Sequence, residues 1–504
     1  MQTCLNDFDI KDCADKIRLL KNQVELGAVL DALYQHGVVG TLLNGTQISI
    51  DQLAQKHNLP TGFLAVCLKC LWFNDLLAAD AQPNNILLSH AGIKICKAQD
   101  KYVAMQAAIV SVLNVIQTDN ASLQILNLKN FSDPHSPWLL LWLFLLSQKN
   151  NIHAAPFAKA FLTHLYPNSE WQISEDIIKQ LATLSPIVFH TLSYLPSYAN
   201  VLHTWQSYQS DNKQQEQHLD RQLDLHTSAS VFQGAIAEVF FEKVKQRFNH
   251  LLFMHQPNYI IDLGCGNGEV LEKIYHYIAN HTLRGQVLDS YPIHLIGVDY
   301  HLIARQQTEQ RLAQLTTHYH VLEGDINQPA AIWQQLKALN IHPEQALHIC
   351  KSVIHDCEFL DNKSYSSSSM FEPTTKPQPF YCYSSADNSI LSHTTLADKL
   401  QAHFCRWQAY ISQFGYLVIE AHNGFDVNFN PAELTQSNKS NLTTLNLSHD
   451  LSHQYLIDQA TFQQALLQSG LTLNSYQPLQ KIAGHTTLAL YDINQSNQDE
   501  GLIC

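Results

Sequence analysis

The chain has 504 residues, 45% of them hydrophobic and 15% charged, which predicts two or three domains with substantial hydrophobic cores. The formal net charge is −14 and the basic residues form no cluster, so a nucleic-acid backbone is excluded as the expected partner. The 11 cysteines are an odd number scattered along the chain, which favours reduced thiols over a disulfide framework.

The N-terminus and the apolar runs indicate where the protein works. Met1 is followed by several aspartates up to Asp15. This pattern is typical neither of a signal peptide nor of a transit peptide. The longest apolar run covers residues 138–146 and predicts a buried helix, because about 20 residues are needed to cross a bilayer. We therefore expect a cytoplasmic protein with no membrane partner.

Residues 1–100 are predicted to form a helical, winged-helix-like module. A short capped helix over 48–57, a turn and an apolar helix over 64–77 have helix-turn-helix spacing, and residues 73–88 are interpreted as the small hairpin of a winged fold. DNA binding would need basic residues on the second helix, which carries only Lys69. Dimerisation or substrate gating is the favoured role, and we expect a homodimer through these helices.

The pattern of the sequence changes near residue 258, where strand patterns begin. Residues 101–250 are predicted to be a helical lid or linking region, with apolar residues at helical spacing over 103–115, 138–146, 154–165, 176–184 and 219–248. Residues 251–504 alternate strand and helix patterns, which predicts a Rossmann-like α/β domain. Within it, the serine- and proline-containing stretch 364–392 predicts a flexible insertion, either a loop or a lid.

The first strand of this domain leads into a glycine-rich turn. Tyr259–Leu263 is a short apolar run, and Gly264, Gly266 and Gly268 follow it before a helical pattern begins. A strand that passes through glycine-rich backbone into a helix N-terminus is typical of a nucleotide-cofactor site. A dinucleotide-binding fingerprint needs its third glycine at the position of Glu269, so this turn does not match that fingerprint.

The run from Asp262 to Gly268 resembles the first motif of the class I S-adenosylmethionine (SAM)-dependent methyltransferases. The motif reads Asp-Leu-Gly-Cys-Gly-Asn-Gly in this chain. The resemblance implies SAM as the cofactor, and the residues it assigns to SAM binding are Asp262, Gly264, Cys265, Gly266 and Gly268.

Further strands are predicted over 294–299, 319–325, 346–351, 415–420 and 485–491. Ligands of such sheets collect at the carboxyl ends of the strands, where Asp299 and Asp325 fall. Asp299 is predicted to accept hydrogen bonds from the ribose hydroxyls, and Asp325 with the backbone of Ile326 to read the adenine amino group. Lys351 and Ser352, after the fourth strand, are predicted at the junction of cofactor and substrate.

Candidates for the second half of the site follow strands four and five. His355, Asp356 and His422 are predicted catalytic residues because they follow these strands. A bound iron, manganese or zinc ion would polarise a carbonyl and acidify a neighbouring C–H bond. Its candidate ligands are His355, Asp356, His422, His449, His453 and Gln454. The alternatives are that His355 is a general base without metal and that some of the 27 histidines come together by chance.

From about residue 26 to residue 491 the chain resembles the SAM-dependent, mononuclear-iron methyltransferases of some bacterial polyketide synthase starter modules, the AprA-type methyltransferases. The likeness is carried by the N-terminal helices, by the glycine-rich motif and by the segments 350–356, 396–413 with Arg406-Trp407, 415–422 and 452–455. The Arg-Trp helix, the Glu-Ala-His sequence ending at His422 and the Gln-Tyr sequence at Gln454 distinguish this family from other class I methyltransferases.

That family methylates the α-carbon of a malonyl group on an acyl carrier protein, with a metal near the thioester. The resemblance therefore implies metal-assisted C-methylation of a small or carrier-bound acyl, polyketide-type substrate. It implies iron or manganese held by His355 or Asp356, His453 and Gln454, although residues 357–359 depart from the family's usual sequence. The alternative is a metal-independent small-molecule O-methyltransferase with a His355/Asp356 base, since dimeric O-methyltransferases have a similar N-terminal module.

Overall fold

The computed structural model describes residues 9–45, 47–117, 141, 144–145, 154–167, 171–201, 219–357, 380, 382–385, 387–423, 433–482 and 486–495. Most of the helix predicted over 138–146 and most of the insertion predicted over 364–392 lie outside these residues. No helix within the described ranges is long and apolar enough to cross a membrane.

The N-terminal region is helical, as its apolar spacing predicts. Its helices are α1 (Ile10–Gln35), α2 (Val38–Leu43), α3 (Ile50–His57), α4 (Thr61–Phe73), α5 (His90–Cys96) and α6 (Gln99–Gln117). Ser49 and Gln52 form a capping box that starts α3. An isolated bridge joins Leu77 to Leu88, within the stretch predicted as the winged-fold hairpin. The helices predicted over 48–57 and 64–77 correspond to α3 and α4.

Lys69, the basic residue considered for DNA contact, is buried in this region. Its Nζ lies 2.7 Å from Asp450 Oδ2 and donates to the carbonyl oxygen of Cys382 at 2.8 Å. Because the Lys69 side chain is only 1% exposed, it cannot contact a phosphate. Helix α4 is therefore a packing helix, not a DNA-reading helix.

A second group of helices leads to the sheet. These helices are α7 (Ala155–Leu165), α8 (Glu175–Ala182), α9 (Ser185–Ser193), α10 (Leu195–Ala199), α11 (Arg221–Val231) and α12 (Ala235–Phe248). The sequence predicts one helix over 219–248, but the structure has two. Gly234 separates them because its φ of 56° and ψ of −136° cannot continue a helix.

The C-terminal part is built on a seven-stranded sheet in the order β3-β2-β1-β4-β7-β9-β8. Strands β1 to β4 and β7 run parallel, while β9 is antiparallel to β7 and to β8. The strands are β1 (Tyr259–Leu263), β2 (His294–Asp299), β3 (Tyr319–Glu323), β4 (Ala346–Lys351), β5 (Cys382–Ser384), β6 (Ile390–Ser392), β7 (Tyr416–Asn423), β8 (Leu471–Ile482) and β9 (Thr486–Gln495).

Helices cover both faces of this sheet. The remaining helices are α13 (Glu269–His281), α14 (Leu302–Ala313), α15 (Pro329–Ala338), α16 (His393–Gln408), α17 (Gln436–Leu451) and α18 (Gln459–Gln468). Ile261 and Ile296 belong to one core with α15, α16 and α18, whereas Ile260 and Leu295 belong to a second core with α12, α13 and α14. The alternation along β1 and β2 thus places one core on each face, and the predicted Rossmann-like fold is confirmed.

The observed strands differ from the predicted ones mainly at the end of the chain. Strands β1, β2 and β4 have the predicted bounds, β3 ends at Glu323, β7 continues to Asn423 and β9 to Gln495. Strand β8 is not among the strands predicted from the sequence. This strand lies at the edge of the sheet and contains Pro478 together with many polar residues, so its sequence lacks a clear strand pattern.

Two segments of the C-terminal part pack against the N-terminal helices. β5 and β6 form a small antiparallel sheet at the end of the stretch that is predicted as a flexible insertion. Helix α17 is buried along most of its length, and its Leu447 and Leu451 belong to the core of the N-terminal helices. Thr444 of α17 donates to Glu25 Oε2 of α1 at 2.7 Å. The two parts of the chain therefore share a core.

Candidate active site

A cavity of about 740 Å³ opens at the carboxyl ends of β1, β2, β3 and β4. Its walls come from the glycine-rich turn after β1, from the loops after the other three strands and from helix α11. A cavity of this size at this edge of a parallel sheet is the usual place for a cofactor in such folds.

The glycine-rich turn brings bare backbone to the cavity. Gly264 has a φ of 81° and Gly266 a φ of 56°, values that favour glycine. A Cβ atom on Gly264 would collide with the side chain of Val353 in the loop after β4. The amide of Gly266 donates to Asp299 Oδ2 at 3.1 Å, which ties the turn to the end of β2.

Acidic side chains meet the cavity at the ends of β1, β2 and β3. Asp262 is 2% exposed, and burial raises its pKa to about 8. Burial also raises the pKa of Asp299, which accepts a hydrogen bond from the amide of His301 at 2.9 Å. Asp325 accepts one from the amide of Asn327 at 2.8 Å. These acids provide hydrogen-bond acceptors for the hydroxyl and amino groups of a ligand.

Helix α11 adds charged and polar side chains that are not among the site residues predicted from the sequence. Arg221 Nη1 lies 3.1 Å from Asp224 Oδ2, and Lys351 Nζ donates to Ser228 Oγ at 2.9 Å. Burial lowers the pKa of Lys351. The spacing of Arg221, Asp224 and Ser228 places them on one face of a helix, a signal that was available in the sequence.

The charges that line the cavity are mostly negative. Among the described residues, the cavity is lined by five aspartates and two cations, namely Asp224, Asp262, Asp299, Asp325 and Asp356 with Arg221 and Lys351, and the aspartates stay in excess even with Asp262 protonated. An excess of acidic groups in a partly buried cavity favours a ligand that carries positive charge.

His355 and Glu420 form a buried pair next to Asp356, and unlike Asp356 neither of them lines the cavity. His355 Nδ1 lies 2.5 Å from Glu420 Oε1, and the two side chains are 9% and 2% exposed. The amide of Ile354 donates to Glu420 Oε2 at 2.9 Å and fixes the carboxylate. Burial lowers the pKa of His355 but Glu420 raises it, and the net pKa is above its ordinary value. Nε2 is left as the nitrogen that can exchange a proton with a ligand.

Four uncharged polar side chains, His190, Tyr194, His449 and Gln454, form what we call the neutral cluster. The ring centroids of His355 and His449 are 5.1 Å apart, as are those of His190 and Tyr194. The Tyr194 hydroxyl donates to Gln454 Oε1 at 3.3 Å. Burial lowers the pKa of His190 to about 3 and that of His449 well below its ordinary value, and it raises the pKa of Tyr194. The cluster is therefore uncharged near neutral pH.

Residues 216–489, more than half of the chain, match the family model of the AprA MT2-like methyltransferase domain. The chain belongs to this family. The AprA MT2-like enzyme is thus a SAM-dependent methyltransferase, and the predicted AprA-type resemblance is confirmed.

Several solved structures are similar to the AprA MT2-like chain. The CurJ carbon methyltransferase is 12% identical with a TM-score of 0.41, over 96% of this chain and 93% of that chain. An O-methyltransferase family 2 protein from Planctomyces limnophilus is 11% identical with a TM-score of 0.39, over 97% of each chain. Human N-acetylserotonin methyltransferase, in complex with SAM, is 13% identical with a TM-score of 0.31, over 98% of this chain and 100% of that chain. No curated protein matches the chain.

The residues that line the cavity suit SAM as the ligand. SAM carries a sulfonium cation and an amino group, and the excess of aspartates around the cavity favours such a ligand. The glycine-rich turn lines this cavity through Gly264 and Gly266, whose left-handed φ values favour glycine. When bound, SAM supplies the methyl group.

Nearly all residues predicted to bind the cofactor line this cavity: Asp262, Gly264, Cys265, Gly266, Asp299, Asp325, Ile326, Lys351 and Ser352. Gly268 does not line it but stands at the N-cap of α13, where it packs against Thr308. Asp356, predicted as a catalytic residue, also lines the cavity, and His355 adjoins it in the same short turn, Ile354–Asp356.

The predicted catalytic residue His422 lies away from the cavity of the AprA MT2-like enzyme. Its Nε2 lies 2.6 Å from the Tyr491 hydroxyl, and its Nδ1 lies 3.3 Å from the carbonyl oxygen of Ile457. It is 1% exposed, and burial lowers its pKa to about 4. Its position is that of a core histidine. Glu420, two residues earlier on β7, occupies the place beside His355 instead.

The four metal ligands that the resemblance implies do not converge in the AprA MT2-like enzyme. Asp356 faces the cofactor cavity, while His355 Nδ1 and Gln454 Oε1 have the protein partners described above. His453 has a left-handed φ of 54°, and its Nδ1 lies 3.4 Å from the carbonyl oxygen of Ser384 in β5. Across the described residues, no three His, Cys, Asp or Glu side chains are grouped to hold a metal. The predicted ligand set therefore does not fit iron or manganese.

Proposed function

We propose that this enzyme methylates a carbon atom next to a carbonyl group in a small or carrier-bound acyl, polyketide-type substrate, and that His355 is the base. The observation that carries the proposal is the 2.5 Å contact between His355 Nδ1 and Glu420 Oε1. A carboxylate in this position holds the imidazole in one tautomer and stabilises the imidazolium that forms. His355 Nε2 can then take a proton from the acceptor.

The chemistry of the pair suits a weakly acidic acceptor. The Glu420 carboxylate holds the pKa of His355 above its ordinary value although burial lowers it, so neutral His355 is a stronger base than a free histidine. Loss of the proton leaves negative charge on the carbon atom and the carbonyl oxygen of the acceptor. With SAM bound in the cavity, that carbon would form a bond to the methyl group while the bond from the methyl group to sulfur breaks, and S-adenosylhomocysteine would be left.

The choice of a carbon acceptor comes from the resemblance to the AprA-type methyltransferases. Members of that family methylate the α-carbon of a malonyl group. A hydroxyl group could also lose its proton to His355, so metal-independent O-methylation is the alternative outcome of the test. Iron and manganese have no role in the proposal, because the predicted ligands do not converge on one point.

The test offers the enzyme SAM with malonyl and malonamyl thioesters of N-acetylcysteamine and with a phenol, and NMR locates the new methyl group. We expect methylation of the α-carbon, and we expect His355→Gln to lower kcat by about 10²–10³-fold with SAM affinity unchanged. His342→Gln is the matched control, since it removes a histidine–glutamate pair on the surface. Methylation of the phenol oxygen alone would contradict a carbon acceptor, and an unchanged kcat in His355→Gln would contradict the base.

Metal dependence is tested separately by treating the purified enzyme with a chelator. We expect kcat to be unchanged after the chelator is removed. If the chelator abolishes activity and added Fe²⁺ or Mn²⁺ restores it, the proposed metal-independent mechanism is contradicted.

A further inference from the structure

We propose that Lys351 binds the free carboxylate of a malonyl-type acceptor and makes the enzyme prefer this acceptor to an uncharged analogue. The assignment deepens the proposed function and rests on it, because the bound carboxylate would hold the acceptor with its α-carbon toward His355.

Lys351 lies in the cavity wall between the cofactor turn and the base. It is the last residue of β4, a strand that has β1 on one side and β7 on the other. β1 leads into the glycine-rich turn, and β7 carries Glu420, the partner of His355. Ser352 and Asp356 of the loop after β4 line the cavity together with Lys351. A ligand in the cavity therefore meets both Lys351 and the loop that carries the base.

The ammonium of Lys351 has only neutral hydrogen-bond partners among the described residues. Its Nζ donates to Ser228 Oγ at 2.9 Å and to the carbonyl oxygen of Ser228 at 3.1 Å. An ammonium has three hydrogens to donate, so one remains for a ligand. Burial lowers the pKa of Lys351, and the charges of Asp262 and Glu420 oppose this fall without forming an ion pair with it. A partly buried cation without a counter-ion favours a ligand that supplies one.

The other cation among the described residues of the cavity lies toward the cofactor. Arg221 Nη1 lies 3.1 Å from Asp224 Oδ2, so part of its charge is already balanced. Burial raises the pKa of Asp299 at the end of β2, and the charge of Arg221 opposes this rise. Arg221 is therefore near the residue predicted to bind the ribose, and it suits the carboxylate of SAM itself. Lys351, near Glu420, is left for the carboxylate of the acceptor.

A cation at this place also helps the chemistry of a malonyl group. Removal of the α-proton adds negative charge to a group that already carries a carboxylate, and a nearby ammonium offsets this repulsion. The proton passes to His355 Nε2, the electron pair stays on the α-carbon and the thioester carbonyl oxygen, and Lys351 keeps its own proton. SAM carries a sulfonium and an ammonium against one carboxylate, so when bound it offsets part of the negative charge of the aspartates.

A pair of isosteric acceptors isolates the carboxylate. Malonyl and malonamyl thioesters of N-acetylcysteamine differ only in a carboxylate oxygen or an amide nitrogen. Their affinities can be measured by calorimetry with the wild-type enzyme and sinefungin, an unreactive SAM analogue that keeps the positive charge. We expect malonyl to bind at least about tenfold more tightly than malonamyl. Equal or weaker binding of malonyl would overturn the proposal.

Lys351→Met tests whether this preference comes from the ammonium. We expect malonyl affinity to fall by at least about tenfold, while malonamyl and sinefungin affinities stay within about threefold of wild type. Unchanged malonamyl binding also shows that the variant is folded. Lys351→Arg keeps the charge and should retain part of the preference. A Lys351→Met variant that loses sinefungin affinity but keeps the preference for malonyl would assign Lys351 to SAM and contradict the proposal.

Arg221→Met is the matched control, because it removes the other cation that lines the cavity. We expect it to weaken sinefungin binding and to leave the ratio of malonyl to malonamyl affinity within about threefold of wild type. If Arg221→Met and Lys351→Met reduce this ratio equally, the preference reflects the net charge of the cavity, and a carboxylate contact at Lys351 is ruled out.

The base and the carboxylate contact fail in different ways. His355→Gln should stop turnover and keep the preference for malonyl, because Lys351 remains. If His355→Gln keeps turnover and Lys351→Met loses the preference, the base is wrong and the carboxylate contact is correct. If His355→Gln stops turnover and Lys351→Met keeps the preference, the base is correct and the carboxylate contact is wrong.

Discussion

The cofactor side of the cavity and the side around His355 are held together by different parts of the molecule. On the cofactor side, Gly266 and Asp299 come from the ends of adjacent parallel strands, and a backbone amide binds a carboxylate. Around His355, the contacts join side chains from β7, from the end of α17 and from the turn between α9 and α10. The first side is charged and built within one sheet, whereas the second is mostly neutral and depends on distant helices.

This difference separates the expected effects of substitutions. A change in the glycine-rich turn should act on SAM affinity, because the turn lies at the cofactor. A change around His355 should act on acceptor binding or on kcat and should leave SAM affinity nearly unchanged. The following predictions test this division.

The largest effect is expected for Gly266→Val. Gly266 has a φ of 56°, and a Cβ atom there would lie 3.2 Å from the side chain of Leu225 in α11. A β-branched residue fits neither this backbone nor this space, so we expect SAM affinity to fall by more than about 100-fold, as measured by calorimetry. Gly45→Val is the control, because Gly45 has a φ of 67° and nothing within 4 Å. Wild-type affinity in Gly266→Val would contradict the cofactor assignment.

Lys69→Met tests how far the helices support the His355 side. It leaves the buried Asp450 carboxylate without its 2.7 Å partner, one residue from His449. We expect the free energy of unfolding, measured with denaturant, to fall by about 3–5 kcal/mol, since an unpaired buried charge is costly. The double variant with Asp450→Leu should regain most of this loss. A single variant as stable as wild type would show that the pair contributes no net stability.

Glu420→Gln tests the base through the pH dependence of kcat/KM. In the wild type the rate should rise with pH through the raised pKa of His355, because only neutral His355 accepts a proton. Without the carboxylate, burial lowers this pKa, so the inflection should move to lower pH while the plateau falls by about 10²-fold. The same inflection in both enzymes would show that His355 does not control the rate.

Ser228→Ala should have the smallest effect. It removes one acceptor of the Lys351 ammonium at 2.9 Å but leaves the carbonyl oxygen of the same residue at 3.1 Å. We expect the free energy of SAM binding to weaken by about 1 kcal/mol or less, measured by calorimetry. A larger loss would indicate that α11 itself depends on this contact.

The cofactor side could be predicted from the sequence because its signals are local. The apolar runs of β1, β2 and β4 have the bounds that the structure shows, and Asp299 stands at the predicted strand end. Strand β8 is missing from the prediction because Pro478 and its polar neighbours are tolerated at the sheet edge, where hydrophobic alternation is weak.

The His355 side could be predicted only in part, because it depends on register and on chain reversals. β4 pairs Lys351 with Ile419, so Glu420 lies level with the turn after β4. His422 points from the same face of β7 but lies further along, against Phe462 of α18. The sequence could not choose between Glu420 and His422 without this register. His453 has a left-handed φ of 54°, which is uncommon for a residue other than glycine.

The burial of α17 among the N-terminal helices has a consequence for the order in which the chain matures. Residues 436–451 leave the ribosome long after α1 and α4, yet they provide the partners of Glu25 and Lys69. The first helices therefore stay incomplete until most of the polypeptide has been synthesised. A fragment that stops before residue 436 would expose apolar surface of α1 and α4, and a fragment that starts at residue 251 would expose α17. Neither fragment should be a useful substitute for the whole enzyme.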